Sequence, residues 1–340
     1  MQTLYLIRHG EPDFPGGEHM CIGRTDLALS PLGRMQAALL GFELAERVGR
    51  VYSSPLARAR ETAEGIAPAP ELLPGLAEQD MGEWDGLRFS EIRRRWPELW
   101  ARRESDKTIP MPGAEPDSAA LSRFSAALDG IFSRGGDAAA AAHSSVIRLY
   151  LNSLGAGMIK IPYGSYVVLH PGERPAPEEI GVLPHPELTD ERCMALLRAA
   201  GNPGKVLRHC AAVAELASEL AVRLGMDAVK IRRAALLHDV ARLLPDHAAV
   251  GARWLETLGY AELAPLVASH MAHPGDRLDE AGVVCLADKL VIGDRRCTVE
   301  ERFAASEAKC TSPEARRAHA ERRAAAMNLC KLLSERGVEI

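Results

Sequence analysis

The segment Leu4-Tyr5-Leu6-Ile7-Arg8-His9-Gly10-Glu11 constrains this chain most, because an apolar run of strand character ends on a cation, a histidine and a glycine within the first ten residues. Gly10 lets the backbone turn and brings its N–H toward whatever His9 faces, and the Arg8 guanidinium suits phosphate oxygens. The tripeptide points to phosphoryl transfer. An ordinary strand end with a hydrogen-bonded histidine would fit the same three residues, so the remainder of the chain has to decide between them.

The 340 residues allow about two domains, each able to bury a core. A net charge of −5 argues against a binder of nucleic acid or membrane, while a small anionic substrate needs only a local basic pocket. The seven cysteines, Cys21, Cys193, Cys210, Cys285, Cys297, Cys310 and Cys330, form no CxxC pair, which fits reduced thiols and a cytoplasmic location. No signal peptide and no membrane span are expected, since the chain opens on strand and motif and has no long apolar run.

Up to residue 172, short apolar strands alternate with helices, the pattern of a largely parallel α/β sheet. Strands are expected at 3–7, 51–53, 137–142 and 166–170. Helices are expected at 30–48, with Ser30 as N-cap and Pro31 at the first turn, and at 56–66, 91–100, 118–132 and 146–154. The Ala138–Ala142 run favours helix by propensity and is read as strand because it leads into His143. Residues 173–187 read as a proline-rich linker. From 188 to 340 the pattern is helical. The tail with Arg316, Arg317, Arg322 and Arg323 reads as a solvated helix face, and Trp84, Trp96, Trp100 and Trp254 as core or pocket wall.

Four dispersed pieces carry the chemistry of the first domain. They are Arg8-His9-Gly10; Ser53-Ser54-Pro55-Leu56-Ala57-Arg58; Glu78 within Leu76 to Gly86; and Ala142-His143-Ser144. Arg58 would project from the carboxyl edge of the sheet, where ligands of open α/β sheets bind, and His143 would lie at a helix N-terminus that favours an anion. Arg60 and Glu61 read as a solvated helix face.

These pieces, with Gly23-Arg24-Thr25-Asp26-Leu27-Ala28-Leu29-Ser30-Pro31-Leu32-Gly33, resemble the histidine phosphatase superfamily, which includes the cofactor-dependent phosphoglycerate mutases and alpha-ribazole phosphatase. The resemblance spans nearly all of residues 1 to 170. It implies a phosphoglycerate mutase-like fold, a mostly parallel sheet with helices on both faces. It also implies that His9 becomes phosphohistidine, that Arg8, Arg58 and His143 hold the transferred group, and that Glu78 is the proton donor. Thr25 would face the phosphate, with Gly10 and Ser144 beside it; Ser144 stands where the family commonly has glycine. Such a site requires no metal, because fixed cations meet the charge of the transition state. The compact first domain favours a phosphatase over a mutase, and residues 89–111 carry no recognisable substrate code.

A second constellation lies in the helical half: His209, then His238-Asp239, then Asp288 in Ala287-Asp288-Lys289. An adjacent His and Asp at the end of an apolar helix are costly unless they bind something, and imidazoles with carboxylates suit a divalent first-row metal. The order H…HD…D resembles the HD domain superfamily of metal-dependent phosphohydrolases over about residues 188 to 310. His247 and His270 extend the set to six, which could hold two metals where the first four hold one; the resemblance implies that Asp239 bridges metals or positions water and that Arg242 lies near phosphate. Where some HD families pair histidines, Met271 follows His270, and His273 reads as a surface loop. The metal could be manganese, iron, magnesium, nickel, cobalt or zinc. The whole reads as a bifunctional phosphohydrolase acting on a small phosphorylated metabolite or nucleotide. The alternative is a single phosphatase whose HD domain is a metal-containing sensor or assembly module.

Overall fold

The computed structural model describes residues 2–157, 159–172, 175–308 and 310–339, which divide into two compact units, 1–186 and 187–340. In the first, strands β1 (Leu4–Arg8), β2 (Arg50–Ser53), β3 (Glu71–Leu72), β4 (Ala138–Ala142), β5 (Tyr166–His170) and β6 (Ala176–Val182) form one sheet in the order β3-β2-β4-β1-β5-β6. The first four are mutually parallel where they pair, and β5 and β6 run antiparallel. Helices α1 (Pro31–Leu44), α2 (Ala57–Glu64), α3 (Phe89–Arg95), α4 (Pro97–Ser105), α5 (Asp117–Ser133) and α6 (Ser144–Ser153) complete it.

The alternation along β1 explains why both faces are covered. Leu4 and Leu6 join Phe124 of α5 and Val146, Ile147 and Tyr150 of α6 in one core, while Ile7 packs with Leu40 and Leu44 of α1 in the other. The five alanines of β4 are fully or nearly fully buried between β2 and β1. Their helix propensity yields to a central strand position where helices lie on both faces and small side chains let them approach. Ser30 caps α1 as expected, its Oγ accepting from Gly33 N at 3.0 Å.

Three expectations change. The helix expected at 91–100 is two helices, because Pro97 restricts Trp96, which sits at φ −129°, ψ 59° between α3 and α4. Strand β3 is an addition to the expected set; its two residues complete the edge beside β2. Of the expected linker, Glu173 and Arg174 lie outside the described residues, and Ala176–Val182 is strand β6. Pro177 is tolerated there because β6 is an edge strand, and its pairing with β5 carries two register shifts.

The second unit contains α7 (Asp190–Ala199), α8 (Gly204–Leu224), α9 (Ala228–Leu237), α10 (His247–Thr257), α11 (Ala264–Ser269), α12 (Glu280–Lys289), α13 (Val299–Glu307) and α14 (Pro313–Glu335). A two-stranded ribbon, β7 (Val291–Ile292) and β8 (Arg295–Arg296), is the strand structure among its described residues. On α8, Val206, Cys210, Val213, Ala217, Leu220 and Ala221 form a buried stripe at helical spacing, and Gly225 ends the helix at φ 67°. The buried stripe of α14 is Ala326, Leu329 and Leu333; Arg316, Arg317 and Arg323 are exposed, while Arg322 is partly buried one turn before Ala326. All seven cysteines are free thiols. Among the described residues, no helix is long and apolar enough to cross a membrane.

Candidate active sites

The parallel pairing of β2, β4 and β1 brings their carboxyl ends level, with Ser53 opposite Ala141 and Arg8 opposite Ala142. The next residue of each strand is Ser54, His143 and His9, so the sheet itself assembles these groups. His9 is buried, and its Nδ1–H donates to the Gly10 carbonyl at 2.7 Å. Nε2 is thereby left with the lone pair, facing Arg58 Nε at 3.3 Å. Arg58 is fully buried and held by two carbonyls, Nη1 to Thr25 O and Nη2 to Gly23 O, both at 2.8 Å.

The His143 ring centroid lies 5.0 Å from that of His9. Its Nε2 meets Ser54 Oγ at 2.8 Å, while its Nδ1 is buried without a hydrogen-bond partner among the described residues. Arg8 stacks 3.6 Å above the Tyr163 ring and donates to Ile161 O, and its buried Nε has no hydrogen-bond partner among the described residues. Two such buried nitrogens around one histidine suit the oxygens of an anion.

Burial and the two neighbouring arginines hold the His9 imidazole well below its ordinary range, and burial and Arg58 do the same to His143. His9 is therefore neutral at neutral pH. In an NMR titration its ring should change charge well below pH 6.5; a midpoint at or above 6.5 would contradict this environment. The unfolded rings titrate near 6.5 and bind more protons than the folded ones below it, so stability is full above pH 6.5 and falls with acidification. Each ring contributes at most about 1.4 kcal/mol per pH unit.

Glu78, expected as the proton donor, lies at the start of α6. Its carboxylate accepts from Gln79 N at 2.9 Å, Ser145 N at 3.1 Å and Val146 N at 3.2 Å. The start of α6, expected to favour an anion, gives the N–H groups of Ser145 and Val146 to the Glu78 carboxylate. Arg123 fixes this segment, donating to the Ala77 and Glu78 carbonyls and pairing with Glu115.

In the second unit the histidines come from helix ends. His209 lies on α8, His238 and Asp239 follow α9, His247 opens α10, His270 follows α11 and Asp288 sits on α12. Asp246, just before His247, has φ 50°, the one non-glycine positive φ among the described residues. His209, His238 and His270 each donate Nδ1–H to a backbone carbonyl, of Gly293, Ala235 and Val267, at 2.8, 2.7 and 2.6 Å. That turns three Nε2 lone pairs into the cluster. His238 Nε2 lies 3.7 Å from Asp239 Oδ2 and 3.8 Å from Asp288 Oδ1; His209 Nε2 meets Asp288 Oδ1 at 3.0 Å. Asp239 Oδ1 faces His247 Nε2 at 3.2 Å and His270 Nε2 at 3.6 Å.

These donors fit a divalent metal. The Nε2 atoms of His238 and His270 are buried with no hydrogen-bond partner among the described residues, and burial pushes His238 down to about 4, keeping it a neutral ligand. Burial would raise Asp239, but His238, His247 and His270 outweigh it and hold it well below the ordinary carboxylate range. Two donor groups emerge, His209-His238-Asp239 and Asp239-His247-His270, with Asp239 in both.

The sequence pattern of the histidine phosphatase superfamily (branch 1) matches residues 4–170. Phosphoserine phosphatase 1 of Hydrogenobacter thermophilus is 32% identical over 189 residues, 51% of this chain and 89% of that protein. The chain belongs to the histidine phosphatase superfamily. The HD domain pattern matches residues 206–292, so this member of the superfamily also carries an HD domain. Bifunctional protein Rv2228c of Mycobacterium tuberculosis is 37% identical over 134 residues, 38% of this chain and 36% of that relative, so the chain spans about a third of its length. The structure of mycobacterial glucosyl-3-phosphoglycerate phosphatase Rv2419c superposes with a TM-score of 0.48 at 23% identity, over 53% of this chain and 99% of that one.

Within this histidine phosphatase, His9, Arg8, Arg58 and His143 converge, and Glu78 caps the helix that His143 precedes. Gly10 does not offer its N–H to the site: that group donates to Thr62 Oγ1 at 2.9 Å. A Cβ at Gly10 would stand 2.5 Å from Gly33 O, so glycine serves the close approach of two backbones. Thr25 contributes its carbonyl to Arg58 and its N–H to Asp85, and Ser144 opens α6, its carbonyl accepting from Arg148. Glu61, expected to be solvated, accepts from Leu29 N at 2.9 Å, whereas Arg60 is exposed and pairs with Glu64.

Ser54, Thr62, Asp85, Arg123 and Tyr163 escape a reading of the sequence alone. Asp85 gathers the N–H groups of Gly23, Arg24 and Thr25, which fixes the loop whose carbonyls hold Arg58. In the HD domain, Lys289 escapes it too; its Nζ lies 2.5 Å from Asp288 Oδ2, and the Ala287-Asp288-Lys289 triplet is its signal. His273, expected in a surface loop, is buried, its ring bonded to Asp279 and Gly275 N.

Proposed function

We propose that the first unit hydrolyses a small phosphomonoester through a phosphohistidine at His9, and that the HD domain is a metal-dependent phosphohydrolase directed at a nucleotide. The observation that carries the first half is the His9 ring: Nδ1 is committed to Gly10, and Nε2 is neutral, buried and backed by Arg58. His9 Nε2 attacks phosphorus as the bond to the leaving oxygen breaks, and Glu78, entering the step as the carboxylic acid, gives that oxygen its proton and is left as the carboxylate. Charge on the equatorial oxygens is met by Arg8, Arg58 and His143. Ser54 Oγ accepts from Leu56 N and has its own proton to give His143 Nε2, which leaves the His143 proton on Nδ1, toward the phosphoryl group. Water then attacks the phosphohistidine, Glu78 takes its proton, and His9 is regenerated with release of phosphate.

In the HD domain, His209, His238, Asp239, His247, His270 and Asp288 would hold the metal, in one or two positions. A divalent ion supplies Lewis-acid polarisation of a phosphoryl group. The paired carbonyls fix the imidazole tautomers, and Lys289 holds the Asp288 carboxylate in place. A crossed assay tests the pair of activities. Aryl phosphate hydrolysis should persist in EDTA, and hydrolysis of nucleoside phosphates by the second unit should vanish with EDTA and return with manganese. Loss of both in EDTA would contradict the first assignment. Metal-loaded protein in which no nucleotide hydrolysis depends on metal would favour a sensor or assembly role for the HD domain.

A further inference from the structure

The HD match ends at residue 292, yet α13 reaches back to the cluster. Arg302 on α13 places Nη2 3.9 Å from Asp288 Oδ1, the oxygen that His209 meets at 3.0 Å and that lies 3.8 Å from His238 Nε2. Its Nε is buried and has no hydrogen-bond partner among the described residues. Asp288 does not need this second cation, because Lys289 already pairs with Oδ2 at 2.5 Å. On the Asp239 side, Arg242 Nε stands 3.6 Å from Asp239 Oδ2, and its Nη1 is 3.2 Å from His247 Nε2. Both guanidinium side chains retain solvent access, at 47% for Arg242 and 31% for Arg302.

We infer that Arg302 is a substrate-binding residue of the HD centre and that Arg242 and Arg302, each beside a different carboxylate, together select substrates with two or more linked phosphoryl groups, such as a nucleoside diphosphate. The inference rests on the reading of this centre as a metal-dependent phosphohydrolase. One phosphoryl group can occupy one guanidinium fork bidentately and leaves the other guanidinium facing only its carboxylate; a second, linked phosphoryl group supplies oxygens for it, the Nε of Arg302 included.

The test measures binding, by calorimetry on the full chain with manganese and without it, using inorganic pyrophosphate and orthophosphate as probes. The manganese-dependent part isolates the HD centre from the phosphate pocket of the first unit. Arg302→Gln and Arg242→Gln should each weaken pyrophosphate more than 10-fold and orthophosphate less than 3-fold, with bound manganese unchanged. Arg302→Lys, which keeps charge but loses the Nε donor and the fork, should fall between. Equal losses for the two probes, no loss for either, or loss of manganese from Arg302→Gln would overturn the inference. Wild-type protein that holds manganese but shows no manganese-dependent binding of either probe would overturn the underlying reading as well.

Discussion

Replacing His9 with alanine should lower aryl phosphate hydrolysis by the first unit by at least about 10⁴-fold, the scale seen when a covalent nucleophile is lost. The imidazole has no substitute. Nearby, Ser54 and Thr62 are buried and already engaged, Ser54 with His143 and Leu56 N, Thr62 with Gly10 N and the Arg58 carbonyl. Rapid acid-free quenching of the wild-type enzyme with a labelled monoester should trap a base-stable, acid-labile adduct, and His9→Ala should show none. An adduct of that stability on His9→Ala would remove His9 as nucleophile. Because Arg58 Nε faces His9 Nε2, the alanine variant also leaves a buried guanidinium donor unpaired; His9→Gln retains an acceptor near that position and serves as the control for folding. Both variants should keep the metal content of the second unit.

How far the sequence discloses this molecule depends on whether a residue acts through its own chemistry or through its neighbours' backbone. His9, Arg58 and His143 are legible because each follows the carboxyl end of a strand within a recognisable order of residue types. Asp85, Ser54 and Thr62 are ordinary polar residues in sequence, and their effect is to orient Gly23, Thr25, His143 and Gly10, which only the folded chain brings to them. The same division holds for the fold. Periodicity locates α1, α5 and α6, and Ser30 and Pro31 mark a helix start that the capping bond reproduces. The break at Trp96 is written in Pro97, but a continuous apolar pattern masks it. β6 is hidden because prolines mark both linkers and edge strands, and only pairing with β5 tells them apart. The Glu78 side chain shows the limit most clearly: nothing in its sequence neighbourhood indicates that it would cap α6, since its partners Ser145 and Val146 lie 67 and 68 residues away.

Asp239→Ala should empty the HD centre more completely than any other single change, since Asp239 belongs to both donor groups. Its two oxygens face different histidines, Oδ2 toward His238 and Oδ1 toward His247 and His270, so no other side chain can replace it in both groups at once. His247→Ala, by contrast, touches one group only. Metal analysis after manganese loading and dialysis should therefore find the wild-type content reduced in part by His247→Ala and almost wholly by Asp239→Ala. The affinity loss for Asp239→Ala should exceed the roughly 10–100-fold typical of outer-shell partners. Manganese should also raise the thermal midpoint of the wild-type second unit, as binding to the folded state alone requires, and should leave that of Asp239→Ala unmoved. The first unit gives the internal control: its chemistry uses nothing from this cluster, so aryl phosphate turnover in Asp239→Ala should match wild type. Full manganese retention by Asp239→Ala would show that the cluster is not the metal site, and with it would go the explanation for the two unpaired imidazole nitrogens at His238 and His270.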